Sequence, residues 1–207
     1  MKDKNTENIF FIPENMQQIK IGDYFYKDGT FSHEYQNTKE CIGIIFSRSN
    51  LFKYPNWSVV ALTDAIDMNN NNLHLWYENN NIDNQDVKIV RNQEILEKDY
   101  GGLFYVENNF NKEYNAIQVA RNYPIDIPMD KTSGWYLPSS GQMWQIACHF
   151  YKNNDYVEQS SILNLADEYM VSQPREREYP LCIDLKDRKF MFKNADYKSL
   201  VRPVFSI

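Results

Sequence analysis

The chain has few residues of the kinds that build disulfide frameworks or phosphate-binding loops. Only three cysteines and seven glycines occur in 207 residues. Cys41, Cys148 and Cys182 are odd in number and far apart, which argues against a disulfide framework and excludes a Cys-x-x-Cys metal or redox motif. We expect them to be buried free thiols. There is also no Walker-type glycine loop, no dinucleotide fingerprint and no Gly-x-Ser-x-Gly nucleophile motif.

Basic clusters and long apolar runs are missing as well. The formal net charge is -6 and the sequence pI is about 5.1, which disfavours a nucleic-acid groove or an anionic membrane surface as partner. No apolar run approaches the roughly 18 residues that a membrane span needs. Because the first eight residues are polar, we expect no secretory signal. We therefore expect no nucleic-acid partner, no membrane insertion, and a cytoplasmic protein before any assembly.

Groups of residues that could carry catalysis are not evident. His33, His74 and His149 stand apart from cysteines or carboxylates at metal-ligand spacing, so we expect no metal and no cofactor. Cys148 and His149 are neighbours, but adjacent side chains on a helix project about 100° apart, which prevents direct activation. Paired carboxylates acting on a glycan are an alternative, because sequence does not show their separation in space. We favour a protein that is not an enzyme.

Aromatic residues are abundant, with 15 Tyr, 12 Phe and 4 Trp, and can supply one sizeable core. We predict an N-terminal arm over residues 1–20 and a single domain over residues 21–207. The arm is polar apart from Ile9–Ile12. Phe10 and Phe11 are candidates for docking on a partner, but we favour the interpretation that the arm folds back on its own domain, as termini more often do.

Strand patterns occur near both ends of the chain. Aromatic and β-branched runs and turn dipeptides predict strands or hairpins at Ile21–Phe31 with an Asp28-Gly29 turn, Cys41–Ser47, Ser58–Leu62, Leu181–Phe192 and Leu200–Ile207. Strands at both ends with helices between them predict an α+β fold, with small antiparallel sheets, two helices and long irregular loops. The two ends of the domain should meet in one sheet.

Two helices and one long loop are predicted between those strands. Asn111–Asn122 has an amphipathic pattern. A stronger helix follows Ser139, because Ser139 and Gln142 form a Ser-x-x-Gln capping box. The Asn-rich segment Asp67–Asp86 is predicted to be a surface loop. It lacks the spaced acidic pattern of a calcium loop.

The segment Gly134–Gln142 (Gly-Trp-Tyr-Leu-Pro-Ser-Ser-Gly-Gln) resembles a motif of the DUF1566 and Legionella-collagen-like C-terminal domain family of Bacteroidetes and their phages. Further segments resemble that family in the same order: Ile21–Gly29, Cys41–Phe46, Ala61–Ala65, Tyr100–Gly102, Tyr114–Ala116 and Val201–Phe205. The resemblance covers residues 21–207 and departs from the family at Tyr169–Pro174. It implies a C-type-lectin-like fold, used in relatives for protein or carbohydrate recognition. From the residues themselves, Trp135, Tyr136 and Pro138 are expected in the core or a turn.

Three functions compete on these observations. The first is a recognition module that binds a protein or a glycan through the loops Asp67–Asp86 and Glu168–Tyr179. Its candidate ligand-binding residues are Trp76, Tyr77, Tyr169, Gln173, Arg175 and Arg177. The second is a structural component of a bacteriophage particle or bacterial surface assembly, as a homo-oligomer or part of a larger particle, with the Phe10-Phe11 arm as its tether. The third is a glycan-acting enzyme.

Overall fold

A computed structural model describes residues 19–48, 57–76, 93–102, 114–127, 132–172, 179–194 and 196–207. Several predicted functional residues lie outside these ranges: Phe10, Phe11, Tyr77, Gln173, Arg175 and Arg177.

The described elements alternate between short strands and short helices. The strands are β1 (Tyr24–Tyr26), β2 (Phe31–Ser32), β3 (Cys41–Arg48), β4 (Trp57–Ala61), β5 (His74–Leu75), β6 (Glu168–Val171), β7 (Leu181–Asp184), β8 (Lys189–Phe192), β9 (Lys198–Ser199) and β10 (Val204–Ser206). The helices are α1 (Gln93–Glu97), α2 (Asn115–Arg121), α3 (Ser140–Phe150) and α4 (Val157–Leu163), with a 3₁₀ turn at Asn154–Tyr156. This mixture of small antiparallel sheets and few helices confirms the predicted α+β class.

The central sheet joins the two ends of the described chain, as predicted. Its strand order is β10-β4-β3-β1-β2, and every pairing in it is antiparallel. The middle strand β3 is buried from Ile42 to Ser47, as its continuous apolar run predicts. Gly43 is required within it, because a Cβ there would overlap the Val59 side chain and lie 2.6 Å from the Val60 carbonyl oxygen.

Two smaller sheets lie beside the central one. One has the order β6-β7-β8, and the other pairs β5 with β9. They are linked because the Met170 amide donates to the Leu200 carbonyl, next to β9. The prediction of a recognition loop beginning at Glu168 is wrong for its first four residues, because Glu168–Val171 form strand β6. Met170 and Val171 are fully buried, so this strand has no polar alternation by which sequence could reveal it.

Helix α3 begins as the capping box predicts. The backbone amide of Gln142 donates to the Ser139 hydroxyl, and the backbone amide of Ser139 donates to the side-chain oxygen of Gln142. The same helix start is also bonded to a preceding segment. The Gly141 amide and the Ser139 hydroxyl both donate to the Asp99 carbonyl, at 2.8 and 2.6 Å, and the Ser140 hydroxyl donates to the Leu96 carbonyl at 2.8 Å. This helix terminus is therefore occupied by the chain's own backbone.

The other helices differ from the sequence prediction. Helix α2 starts at Asn115, while residues 111–113 of the predicted helix lie outside the described part of the chain. Helices α1 and α4 were not predicted. Each has only five or seven residues, too short to show a helical apolar period. They form because tertiary contacts, rather than local propensity, stabilise helices of this length.

Arg202 is the most buried charged residue among the core side chains, with 2% of its surface exposed. Its Nε donates to the Asp64 carboxylate at 2.6 Å. Nη1 donates to the carbonyls of Ala61 and Leu62, and Nη2 donates to the Leu163 carbonyl and the Tyr169 hydroxyl. These bonds match the five N–H donors of a guanidinium. One side chain thus connects the end of β4, the end of α4 and β6.

We expect Gly141→Ala to destabilise the protein although alanine is the better helix former. Helix propensity favours alanine by about 1 kcal/mol. A Cβ at this position, however, would overlap the Asp99 carbonyl oxygen and lie 2.8 Å from the Asp99 amide nitrogen. Such overpacking costs about 1–3 kcal/mol or more when backbone must move. Denaturant unfolding should show a net loss, whereas Ser161→Ala at an exposed position of helix α4 should change stability by less than about 0.5 kcal/mol.

We expect Arg202→Met to lower the free energy of unfolding by roughly 3–5 kcal/mol, because it leaves buried acceptors and Asp64 without their partner. Tyr169→Phe removes only the hydroxyl that contacts Arg202 and the Ala166 amide, and should cost about 1–3 kcal/mol. The control is Lys27→Met, which breaks an exposed ion pair with Glu40 and should cost less than about 1 kcal/mol. Equal losses in all three variants would contradict the central role of Arg202.

Candidate binding surface

The two described aromatic residues that were predicted to contact a ligand lie in the core. Tyr169 is fully buried, and its hydroxyl accepts from Arg202 and from the Ala166 amide. Trp76 is 3% exposed and packs on Tyr114, with ring centroids 5.1 Å apart. Neither ring presents a face to solvent. The prediction of a surface role for these two residues is therefore corrected to a packing role.

The loops that carry those residues do meet in space. Strand β5 follows the described part of the Asn-rich loop, and its His74 and Leu75 pair with Ser199 and Lys198 of β9. On the other side of β9, Leu200 forms a parallel bridge with Tyr169 of β6. The two segments predicted as recognition loops are thus neighbours across β9, a short strand that sequence patterns did not reveal.

The described start of the Asn-rich loop is a turn organised by Asp67. One carboxylate oxygen of Asp67 accepts from the amides of Asn69 and Asn71, at 2.8 and 2.9 Å. The other oxygen accepts from the Asn71 side-chain amide at 2.9 Å. The Asp67 amide also donates to the Asn71 carbonyl, and Asn70 adopts a left-handed conformation with φ of 61°. The carboxylate therefore accepts from three N–H donors and closes an Asx-type turn.

Apolar side chains project from this turn. Met68 is fully exposed, and Ile66 and Leu73 are each about half exposed. We call residues 66–73 the Asp67 tip. Single exposed apolar residues are ordinary on protein surfaces, but three of the seven exposed large apolar residues that the structure describes fall within this one turn, which makes it a candidate contact site. Residue spacing did not single out Met68, because it stands between an acid and a run of asparagines.

A second group of polar side chains lies beside β9. The Lys193 ammonium is 2.7 Å from the Glu168 carboxylate, with both side chains about one-fifth exposed. The Ser199 hydroxyl donates to the same carboxylate at 3.3 Å, and the Lys193 nitrogen lies 4.5 Å from the centre of the Tyr197 ring. Burial opposes the charge of Lys193, but its hydrogen bond to Glu168 and the negative charge there outweigh burial and raise its pKa. The charges in this group neutralise one another.

The cysteines and His149 are not poised for chemistry. All three thiols are free, with Cys182 buried and Cys41 and Cys148 half-buried. Burial raises the pKa of Cys41 to about 11 and also raises the pKa of Cys148 and of Cys182. The thiols therefore stay protonated near neutral pH, whereas the thiolate is the nucleophilic form. Burial lowers the pKa of His149.

One histidine, His33, contacts a carboxylate ten residues away in sequence, that of Asp23. The Nδ1 atom of half-exposed His33 contacts the carboxylate of Asp23, a buried side chain that also accepts from the Lys20 amide. Across the described residues, no three His, Cys, Asp or Glu side chains cluster closely enough to hold a metal ion.

No protein-family model, no curated protein and no solved structure matches this chain. The family resemblance read from the residue motifs therefore stays a prediction. None of the helices in the described ranges is long and apolar enough to span a membrane.

We expect Asp67→Ala to loosen the Asp67 tip without unfolding the domain, because this carboxylate supplies three of the bonds that close the turn. Hydrogen exchange followed by NMR should show faster exchange at the Asn69 and Asn71 amides and little change in β3. Asp67→Asn retains one acceptor oxygen and should preserve most of the protection. Unchanged exchange in Asp67→Ala would contradict the role of Asp67.

The same turn should loosen in acid. The side-chain hydrogen bond from Asn71, followed by backbone hydrogen bonds from Asn71 and Asn69, lowers the pKa of Asp67. A lowered folded-state pKa means that the stabilisation is present above the ordinary aspartate value of about 3.9 and is lost as pH falls through the lower, folded value. The amide shifts of Asn69 and Asn71 should therefore titrate with a midpoint below that ordinary value.

Proposed function

We propose that this protein is a non-catalytic recognition module that binds a protein partner through the Asp67 tip. The observation that carries this proposal is an ordered turn that exposes Met68 fully and Ile66 and Leu73 by about half. Since the Asp67 carboxylate orders the turn before any partner arrives, binding loses less conformational entropy than it would with a flexible loop. Methionine adapts its shape to the surface that it meets.

A protein partner fits the described surface better than a glycan. Trp76 and Tyr169 were predicted to contact a protein or a glycan, and because both rings are buried, neither offers a flat aromatic face on which a sugar could stack. Besides the exposed asparagines at positions 69–72, the Asp67 tip exposes aliphatic and thioether groups, which gain free energy by burial against apolar protein surface. The polar group around Glu168 and Lys193 is internally paired, so a sugar hydroxyl would have to compete with an existing ion pair.

The non-catalytic part of the proposal rests on the state of the reactive groups. The thiols of Cys41, Cys148 and Cys182 have pKa values raised by burial, which disfavours nucleophilic cysteine chemistry. Arg202, the charged residue with most partners, uses its donors on the chain's own acceptors. These groups stabilise the fold and leave no activated nucleophile among themselves.

We further propose a C-type-lectin-like arrangement and a place in a bacteriophage particle or bacterial surface assembly. The ordered motif resemblance supports the first part, together with a sheet that contains both the first and the last described strands. A module that presents one ordered apolar tip from such a sheet suits assembly with other proteins. The Phe10-Phe11 arm would be a separate tether in that assembly.

The test is to probe the full chain on an array of bacterial and phage surface proteins and, in parallel, on a glycan array. Each hit is then measured against Met68→Glu, which places a charge at the centre of the Asp67 tip. We expect protein binding to weaken at least about tenfold, because a carboxylate cannot be buried against an apolar surface without a partner.

The matched control is Val157→Glu, since Val157 is also an exposed apolar residue, at 65%, on helix α4. It should leave binding intact. Equal effects of both substitutions, or no protein hit at all, would overturn the proposal. Hits confined to glycans and insensitive to Met68→Glu would instead favour sugar recognition at another surface.

A further inference from the structure

Met68 differs from the other described methionines in its access to solvent. Its side chain is fully exposed, whereas Met143 and Met170 are completely buried and Met191 is half-buried. Susceptibility of a thioether to oxidation depends on its exposure. A soluble oxidant therefore reaches the sulfur of Met68 before it reaches those of the core methionines.

We propose that Met68 is a site of reversible oxidation, at which a peroxide switches the Asp67 tip from a binding to a non-binding state. The loss of binding rests on the proposed function of that tip, while the chemical selectivity for Met68 does not. The modification would act on the most exposed apolar side chain of the Asp67 tip, because Ile66 and Leu73 are each only about half exposed.

The reaction is a two-electron oxidation of the thioether by a peroxide. With hydrogen peroxide, the sulfur lone pair attacks one oxygen, an S–O bond forms and the O–O bond breaks. The attacked oxygen gives up its proton, and the second oxygen takes up a proton and leaves as water. Sulfur is oxidised and the peroxide is reduced. The product is a polar, chiral sulfoxide, which methionine sulfoxide reductases convert back to the thioether, with two electrons and two protons from a dithiol that becomes a disulfide and with the oxygen released as water.

The fold should tolerate this change. The bonds that close the turn come from the Asp67 carboxylate and from backbone and side-chain amides of Asn69 and Asn71. The fully exposed side chain of Met68 contributes no burial to that turn. Oxidation would therefore alter the polarity of the tip while leaving its backbone geometry in place. The same reaction at Met143 or Met170 would instead put a polar group into the core.

The first experiment measures selectivity on the intact, folded chain. After graded exposure to hydrogen peroxide, the protein is quenched, digested with trypsin and analysed by mass spectrometry. Cleavage after lysine and arginine puts Met68 on residues 54–88, Met143 on residues 132–152 and Met170 on residues 153–175, with no other methionine on those peptides. We expect the peptide carrying Met68 to gain one oxygen several-fold faster than the other two. Equal rates in the folded protein would overturn the proposal.

The second experiment measures the consequence for stability and binding. Oxidised protein should keep its thermal unfolding midpoint and lose affinity for the protein hits of the array by about tenfold or more, because a polar sulfoxide is costly to bury against an apolar surface without a hydrogen-bond partner. Treatment with methionine sulfoxide reductases should restore affinity. Met68→Leu retains an apolar side chain of similar volume but has no thioether, so peroxide treatment should leave the affinity of this variant, measured before and after exposure, unchanged. Met68→Gln should mimic the oxidised state.

The outcomes separate the two proposals. Selective oxidation of Met68 without any array hit would overturn the proposed function. Met68 would then be an oxidation site with no effect on binding, so the switch would be rejected. Hits that depend on Met68 but persist after its oxidation would retain the binding proposal and overturn the switch. Loss of binding in peroxide-treated Met68→Leu would assign the effect to another residue and overturn it too.

Discussion

The guanidinium of Arg202 is the group on which the packing of the described chain depends most. A buried charge is costly unless each of its donors is satisfied, and here five hydrogen bonds reach acceptors on three separate parts of the fold. Asp64 neutralises the charge, and the Tyr169 hydroxyl joins β6 to the same centre. This requirement explains why Tyr169 lies in the core and why a ligand surface cannot use its ring.

The polar groups of the Gly134–Gln142 segment are likewise hydrogen-bonded within the chain. At the start of helix α3, the Ser139 backbone amide donates to the Gln142 side chain, and the Ser139 hydroxyl and the Gly141 amide donate to the Asp99 carbonyl. Gly141 permits that close approach because it has no Cβ. The segment therefore stabilises a corner of the scaffold. Binding has to be sought where side chains remain exposed, as Ile66, Met68 and Leu73 of the Asp67 tip do.

The Asp67 tip combines order with exposure, and these properties come from different atoms. The Asp67 carboxylate orders the backbone through bonds to Asn69 and Asn71, while Met68 remains outside that network. Substitution or oxidation of Met68 can thus change the chemistry of the surface without changing its shape. The link from the turn into β5, and from β5 to β9, holds the tip against the rest of the domain.

Local patterns were sufficient for the α+β class, the capped start of helix α3, the hairpins near both ends and the buried run of β3, because each follows from the period, turn residues or caps of a short segment. They were not sufficient for β6, for the short helices α1 and α4, or for the partners of Arg202. Those depend on residues distant in sequence, such as Asp64, that only tertiary packing brings within hydrogen-bond distance. For the same reason, sequence located the Asn-rich loop, but only the folded chain showed that Trp76 faces inward and Met68 outward.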